Sequence, residues 1–111
     1  MKFSESLKKN SDFKYVYQNG KSFANRFLVM YVLENNDEKN RLGISASKKV
    51  GNSVVRHRFT RLVRESYRLH ENIFNSGLDI VVVARKNAAL ANYKEIESAL
   101  LHLAKIHHIL I

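Results

Sequence analysis

Lys48-Lys49-Val50-Gly51-Asn52-Ser53-Val54-Val55-Arg56-His57-Arg58-Phe59-Thr60-Arg61-Leu62-Val63-Arg64-Glu65-Ser66-Tyr67-Arg68 carries seven lysines and arginines against one acid, Glu65. Asn52, directly after Gly51, is a strong N-cap type, and the spacing predicts a helix from there to about His70. With Arg56 at 0° and steps of about 100° per residue, Val55, Phe59, Leu62, Val63, Ser66 and Leu69 share an arc of roughly 220–340°. Arg56, His57, Thr60, Arg61, Arg64 and Arg68 fall between about 0 and 140°, with Arg58 near 200°. One face is therefore expected to bury and the opposite face to form a cationic ridge. A merely solvated helix face mixes signs in i,i+4 pairs. Here like charges repel, an arrangement that a polyanion neutralises. Arginine also suits bidentate phosphate contact better than lysine.

The segments around this helix read as strands and shorter helices. Upstream, Arg41 to Ser47 alternates, with Leu42, Ile44 and Ala46 on one face and Arg41, Gly43, Ser45 and Ser47 on the other. The second face is small and polar enough for a ligand backbone to approach. Phe27 to Leu33 is apolar throughout, as in a strand covered on both faces. Across the turn Glu34–Asn40, the Arg41 strand is expected to return as its antiparallel neighbour. Lys21 to Ala24 is a short strand. Ser11 to Asn19 is a helix capped by Asn10 or Ser11, with Gly20 as its C′ residue and Phe13, Val16 and Tyr17 on one face. Downstream, Asn75-Ser76-Gly77 breaks the chain. Asp79 to Ala84 is then a β-branched strand suited to a parallel position. Asn92-Tyr93-Lys94-Glu95 has the form of a capping box, opening a helix with Ile96, Ala99, Leu100, Leu103 and Ile106 as its apolar stripe. The order is α-β-β-β-α-β-α, a two-layer α+β sandwich.

Composition bounds the function. The 111 residues suit a single domain, 1–111, with no linker, repeat or proline. No cysteine is present, which removes disulfides, thiolate metal sites and a cysteine nucleophile. No apolar run approaches the roughly 18 residues of a membrane span. The start of the chain lacks the apolar core of a secretory signal, so a cytoplasmic protein with no membrane partner is expected. Net charge is +9, and +7 of it lies between Arg41 and Arg68. Nucleic acid is the first partner class this implies. Phe13, Tyr17 and Tyr31, beside the small face at Gly43 and Ser45, can line a cleft that stacks unpaired bases, or can simply pack in the core. Catalytic chemistry is poorly supplied. The carboxylates sit in different elements, the five histidines lack ligand spacing, and His107-His108 reads as a surface helix end. Neither catalytic nor metal-ligating side chains are expected. These residues by themselves leave a generic RNA binder of ribosomal-protein type open.

The run Arg41-Leu42-Gly43-Ile44-Ser45-Ala46-Ser47-Lys48-Lys49-Val50-Gly51-Asn52, continuing through Arg56-His57-Arg58 to Arg64-Glu65, resembles the signature of the bacterial ribonuclease P protein component family. Lys9-Asn10-x-Asp12-Phe13, Val16-Tyr17-x-x-Gly20, Ala24-Asn25-Arg26 and Val83-Ala84-Arg85-Lys86 extend the resemblance over nearly the whole chain. His57 departs from the family's Arg-Asn-Arg. The histidine still hydrogen-bonds, and this side-chain type adds charge below about pH 6.5. The resemblance implies a fold like domain 2 of ribosomal protein S5, with a left-handed βαβ crossover against the usual preference. It implies a protein subunit, one per catalytic RNA, of a ribonucleoprotein that removes the 5′ leader of precursor tRNA. The RNA performs the hydrolysis with Mg²⁺ that it mainly holds itself. By the same resemblance, Lys48, Asn52, Arg56, His57, Arg58, Arg61, Arg64 and Arg68 meet the catalytic RNA. Phe13, Tyr17, Tyr31, Ser47, Lys49, Arg85 and Lys86 meet the leader.

Overall fold

In the computed structural model, which describes residues 1–111, the chain runs β1 (Ser4–Ser6), α1 (Asn10–Asn19), β2 (Lys21–Ala24), β3 (Leu28–Glu34), β4 (Asn40–Ser45), α2 (Ser53–His70), β5 (Leu78–Ala84) and α3 (Tyr93–Ile106). The five strands form one mixed sheet in the order β1-β4-β5-β3-β2. The mixed α+β arrangement agrees with the sequence expectation. The neighbour relations do not: β3 and β4 are not paired. β5 lies between them, parallel to β4 (Gly43 opposite Val81) and antiparallel to β3 (Tyr31 opposite Val81). The most deeply buried strand takes the centre, with a neighbour on each edge.

Strand β1 went unread because it is three residues long with no apolar alternation; tertiary contacts make it. It pairs parallel to β4. Ser4 Oγ lies 2.7 Å from the Tyr67 hydroxyl, and the Lys2 and Phe3 amides donate to the Glu71 carboxylate at 2.8 and 3.0 Å.

The two sheet faces are unequal. Leu28, Met30, Leu42, Ile80 and Val82 pack beneath α2 and α3 in the main core, with Phe59, Val63, Tyr67, Ile96, Leu100 and Leu103. Each such large side chain contributes about 1.5–3 kcal/mol by leaving water. On the opposite face α1 covers only part of the sheet. Val16 and Leu7 meet Val81 there, with Phe13, Tyr31, Leu33 and Val83 at the margin. Phe27 precedes its strand and packs on the main core, although parity groups it with Tyr31.

Helix α2 keeps its expected limits and its Asn52 cap, whose side chain accepts from Val55 N at 3.0 Å. Its roll differs. The buried residues are Phe59, Val63, Ser66 and Tyr67, whereas Leu69 is 53% exposed. The buried arc is turned by roughly 40–50° from the one read off the sequence, counting about 100° per residue. The cause is the unread strand. Tyr67 is drawn inward because its hydroxyl finds Ser4 and accepts from Asn40 Nδ2 at 3.2 Å, so a buried polar tip is satisfied.

Smaller corrections have similar origins. Helix α1 begins one residue early, after Lys9, with no side-chain cap. Gly20 is extended (φ −80°) rather than left-handed, and a Cβ there would meet the Val16 carbonyl at 2.7 Å. His107 is no free surface end: its Nε2 donates to the Met30 carbonyl at 2.9 Å, and its ring stands edge-on to Phe23. The capping box at Asn92 and Glu95 forms as read.

Candidate nucleic-acid interface

The first surface is the outer side of α2. His57, Arg61, Arg64 and Arg68 are exposed along it, and the roll of the helix leaves Arg56 half-buried. Several cations are already engaged. Arg58 donates to the Ala91 carbonyl at 2.8 Å, Arg64 to Ser6 Oγ at 2.9 Å, and Arg68 grips Glu65 through both carboxylate oxygens. Arg61 has no acidic partner. Asn52 spends its side-chain oxygen on the helix cap, which leaves its amide nitrogen for any partner. Glu65 lies below the ordinary carboxylate range because Arg68 hydrogen-bonds to it.

Arg41 leaves the charge surplus altogether. Its guanidinium donates to Asp79 at 2.8 and 2.6 Å and lies 3.5 Å from Asp12. Asp79 is buried, which by itself raises its pKa, yet hydrogen bonds from Arg41 and Asn35 and the Arg41 charge bring it below the ordinary value. This pair, with Asp79 buried and Arg41 partly exposed, is structural.

The second surface lies on the other side of the sheet. Phe13, Tyr17 and Tyr31 come together as the sequence suggested, with centroids 6.3 Å apart for Phe13–Tyr17 and 4.9 Å for Tyr17–Tyr31. A hollow of about 490 Å³ beside them is lined by Asn10, Phe13, Lys14, Tyr17, Ile44, Ser45 and Ala46. Tyr17 stands 38% exposed. Gly43 plays a different part from the one expected. A Cβ there would lie 2.8 Å from the Phe13 ring, so Gly43 seats Phe13 rather than leaving room for a ligand. Asn10 and Lys14 were missed as lining residues. The signal was available, since Asn10, Phe13, Lys14 and Tyr17 follow the i, i+3, i+4, i+7 spacing of one helix face.

Parallel pairing also brings two basic segments together. Ser45 of β4 sits opposite Val83 of β5, so the segments after both strands leave the sheet side by side. They carry exposed Ser47, Lys48 and Lys49 on one side and exposed Arg85 and Lys86 on the other. Arg85 donates to the Asn25 carbonyl at 2.9 Å. Asn25 in turn fixes the β2–β3 turn: its Oδ1 accepts from Phe27 and Leu28 amides, and its Nδ2 donates to Ala99 of α3. The acids Glu34, Asp37, Glu38 and Asp79 belong to the other end of the strands. No three His, Asp or Glu side chains converge. The protein's own donor set therefore does not fit a magnesium cage.

A family model described as Ribonuclease P matches residues 1–108. A "Ribonuclease P protein component" from Lachnoclostridium phytofermentans is 66% identical over 107 residues, 96% of this chain and 92% of that protein. This chain belongs to the ribonuclease P protein family. Solved structures agree with the fold. The RNase P protein of Staphylococcus aureus superimposes with a TM-score of 0.89 at 38% identity, covering 97% of this chain and 99% of that one. That of Thermotoga maritima gives 0.84 at 31% identity, over 92% and 96%. As a ribonuclease P protein, the chain has His57 exposed in the middle of its Arg56-His57-Arg58 motif. No helix is long and apolar enough to cross a membrane.

Proposed function

We propose that this chain is the protein subunit of a cytoplasmic ribonuclease P ribonucleoprotein acting in tRNA 5′ maturation. The α2 ridge, with Lys48, docks on the catalytic RNA. The aromatic cleft takes the single-stranded leader of precursor tRNA, stacking bases on Phe13, Tyr17 and Tyr31. Ser47, Lys49, Arg85 and Lys86 hold leader phosphates at the rim. Magnesium, held by the RNA, supplies the hydrolytic chemistry, and no protein side chain acts on the scissile phosphate. One protein serves one catalytic RNA.

The observation that carries this reading is the placement of two nucleic-acid-like surfaces on opposite faces of one sheet. A guanidinium ridge suits phosphates of a structured RNA. An aromatic hollow with a cationic rim suits an unpaired strand. A generic ribosomal-type binder needs only the first.

Reconstitution tests it. Added to a bacterial ribonuclease P RNA at low Mg²⁺, the protein should restore cleavage of precursor tRNA at the mature 5′ end. Binding without stimulation would favour the generic RNA-binding reading. Cleavage by the protein alone, lost on carboxylate substitution, would overturn the assignment of chemistry to RNA.

A further inference from the structure

Between the cationic ridge and the start of α3 lies a groove with an aromatic ring that neither proposed surface uses. It measures about 560 Å³, and its lining includes Arg58, Arg61, Arg64 and Arg68 of α2, the Glu65 carboxylate that Arg68 holds, and Tyr93, the first residue of α3. That volume falls within the roughly 300–1,000 Å³ of small-ligand sites. Three of the four guanidiniums are positioned in advance, by the Ala91 carbonyl, Ser6 and Glu65 respectively. Each arginine has five N–H donors, so most remain available. Fixing side chains before association lowers the ordering cost of binding. Tyr93 is likewise fixed: its hydroxyl donates to Glu97 Oε2 at 3.2 Å.

Arginines alone serve phosphates. The Tyr93 hydroxyl is already given to Glu97, and its ring provides a face on which an unpaired base stacks. We propose that this groove holds one unpaired nucleotide of the catalytic RNA, its base on Tyr93 and its flanking phosphates on Arg61 and Arg64. The inference rests on the reading that α2 docks on that RNA. The leader is assigned to the opposite sheet face, so the nucleotide belongs to the catalytic RNA.

The chain contains no tryptophan. Tyr93→Trp therefore installs a single fluorescent reporter in the groove. Titration with ribonuclease P RNA, without precursor tRNA, should change its emission in step with binding. Tyr93→Phe should bind this RNA as the wild type does. Tyr93→Ala should bind about ten-fold or more weakly, the scale of one missing base stack. Its salt dependence should be unchanged, because every cation that meets a phosphate is still in place. An emission indifferent to saturating RNA would overturn the proposal, as would a change seen only with precursor tRNA. So would Tyr93→Phe weakening binding as much as Tyr93→Ala, which would assign the effect to the hydroxyl and Glu97. Wild-type protein that fails to bind the RNA at all would overturn the parent reading first, and this one with it.

Discussion

Gly43 shows how one missing methyl group shapes a site. The Phe13 ring occupies the space a Cβ would need. Gly43→Ala should cost about 1–3 kcal/mol through overpacking and push the ring from its seat. We expect it to act like Phe13→Ala, weakening binding of leader-containing precursor more than of mature tRNA. Equal losses for both RNAs would return Phe13 to a packing role. Asp79 makes a second residue-scale prediction. Its pKa lies below the ordinary 3.8: burial raises it, but the Arg41 and Asn35 hydrogen bonds and the Arg41 charge outweigh that. The unfolded chain therefore binds this proton more readily than the folded one. The stability it contributes is complete above the ordinary value and is lost as pH falls through the folded value. Arg41→Met leaves the carboxylate buried without its cation and should cost about 3 kcal/mol at pH 7. Urea unfolding at pH 7 and pH 3 should show that large neutral-pH loss, with the variant losing less on acidification than the wild type does.

The same contrast between local and distant causes decides which elements could be read from sequence. Helix α2 was legible because its limits, cap and two-faced character lie within its own residues: Asn52 caps it and Phe59 and Val63 face inward. The capping box of α3 was legible for the same reason. Strand β1 was not, because its three residues form a strand only through β4, Tyr67 and Glu71. Without β1, Tyr67 belongs to neither face of the helix and Leu69 falls in the buried arc, and the residues of α2 alone do not correct that. In the site, the aromatic trio was legible from helix spacing and strand parity. The engagement of Arg41 by Asp79 was not, because the two are 38 residues apart. At this scale, Arg61→Ala combined with Arg64→Ala should weaken binding to the catalytic RNA. It should also lower the slope of log affinity against log salt by roughly 0.7–0.9 for each phosphate no longer neutralised. An unchanged slope would show that these arginines meet something other than phosphate. Asn25→Ala frees the β2–β3 turn from α3 and removes the carboxamide that orders it. It should cost about 1–3 kcal/mol and loosen the turn whose backbone carbonyl, which the alanine keeps, holds Arg85. Thermal unfolding together with leader binding would separate the two effects.

At the scale of the whole molecule, the sheet has a seam. Without β5, its strands fall into two separate pairs, β1 with β4 and β2 with β3, joined by no hydrogen-bonded register. A chain ending at Gly77 should therefore show no cooperative urea transition, and adding a peptide of residues 78–111 should restore one. A truncated chain that unfolds cooperatively by itself would show that the pairs stand without their centre. A ribosome makes protein in one direction, at roughly 5–20 residues per second. The arginine-rich helix thus emerges before β5, which joins the sheet, and before α3, which packs against it. For that interval the nascent chain offers nearby RNA a basic segment that carries charge but has neither of its finished binding surfaces.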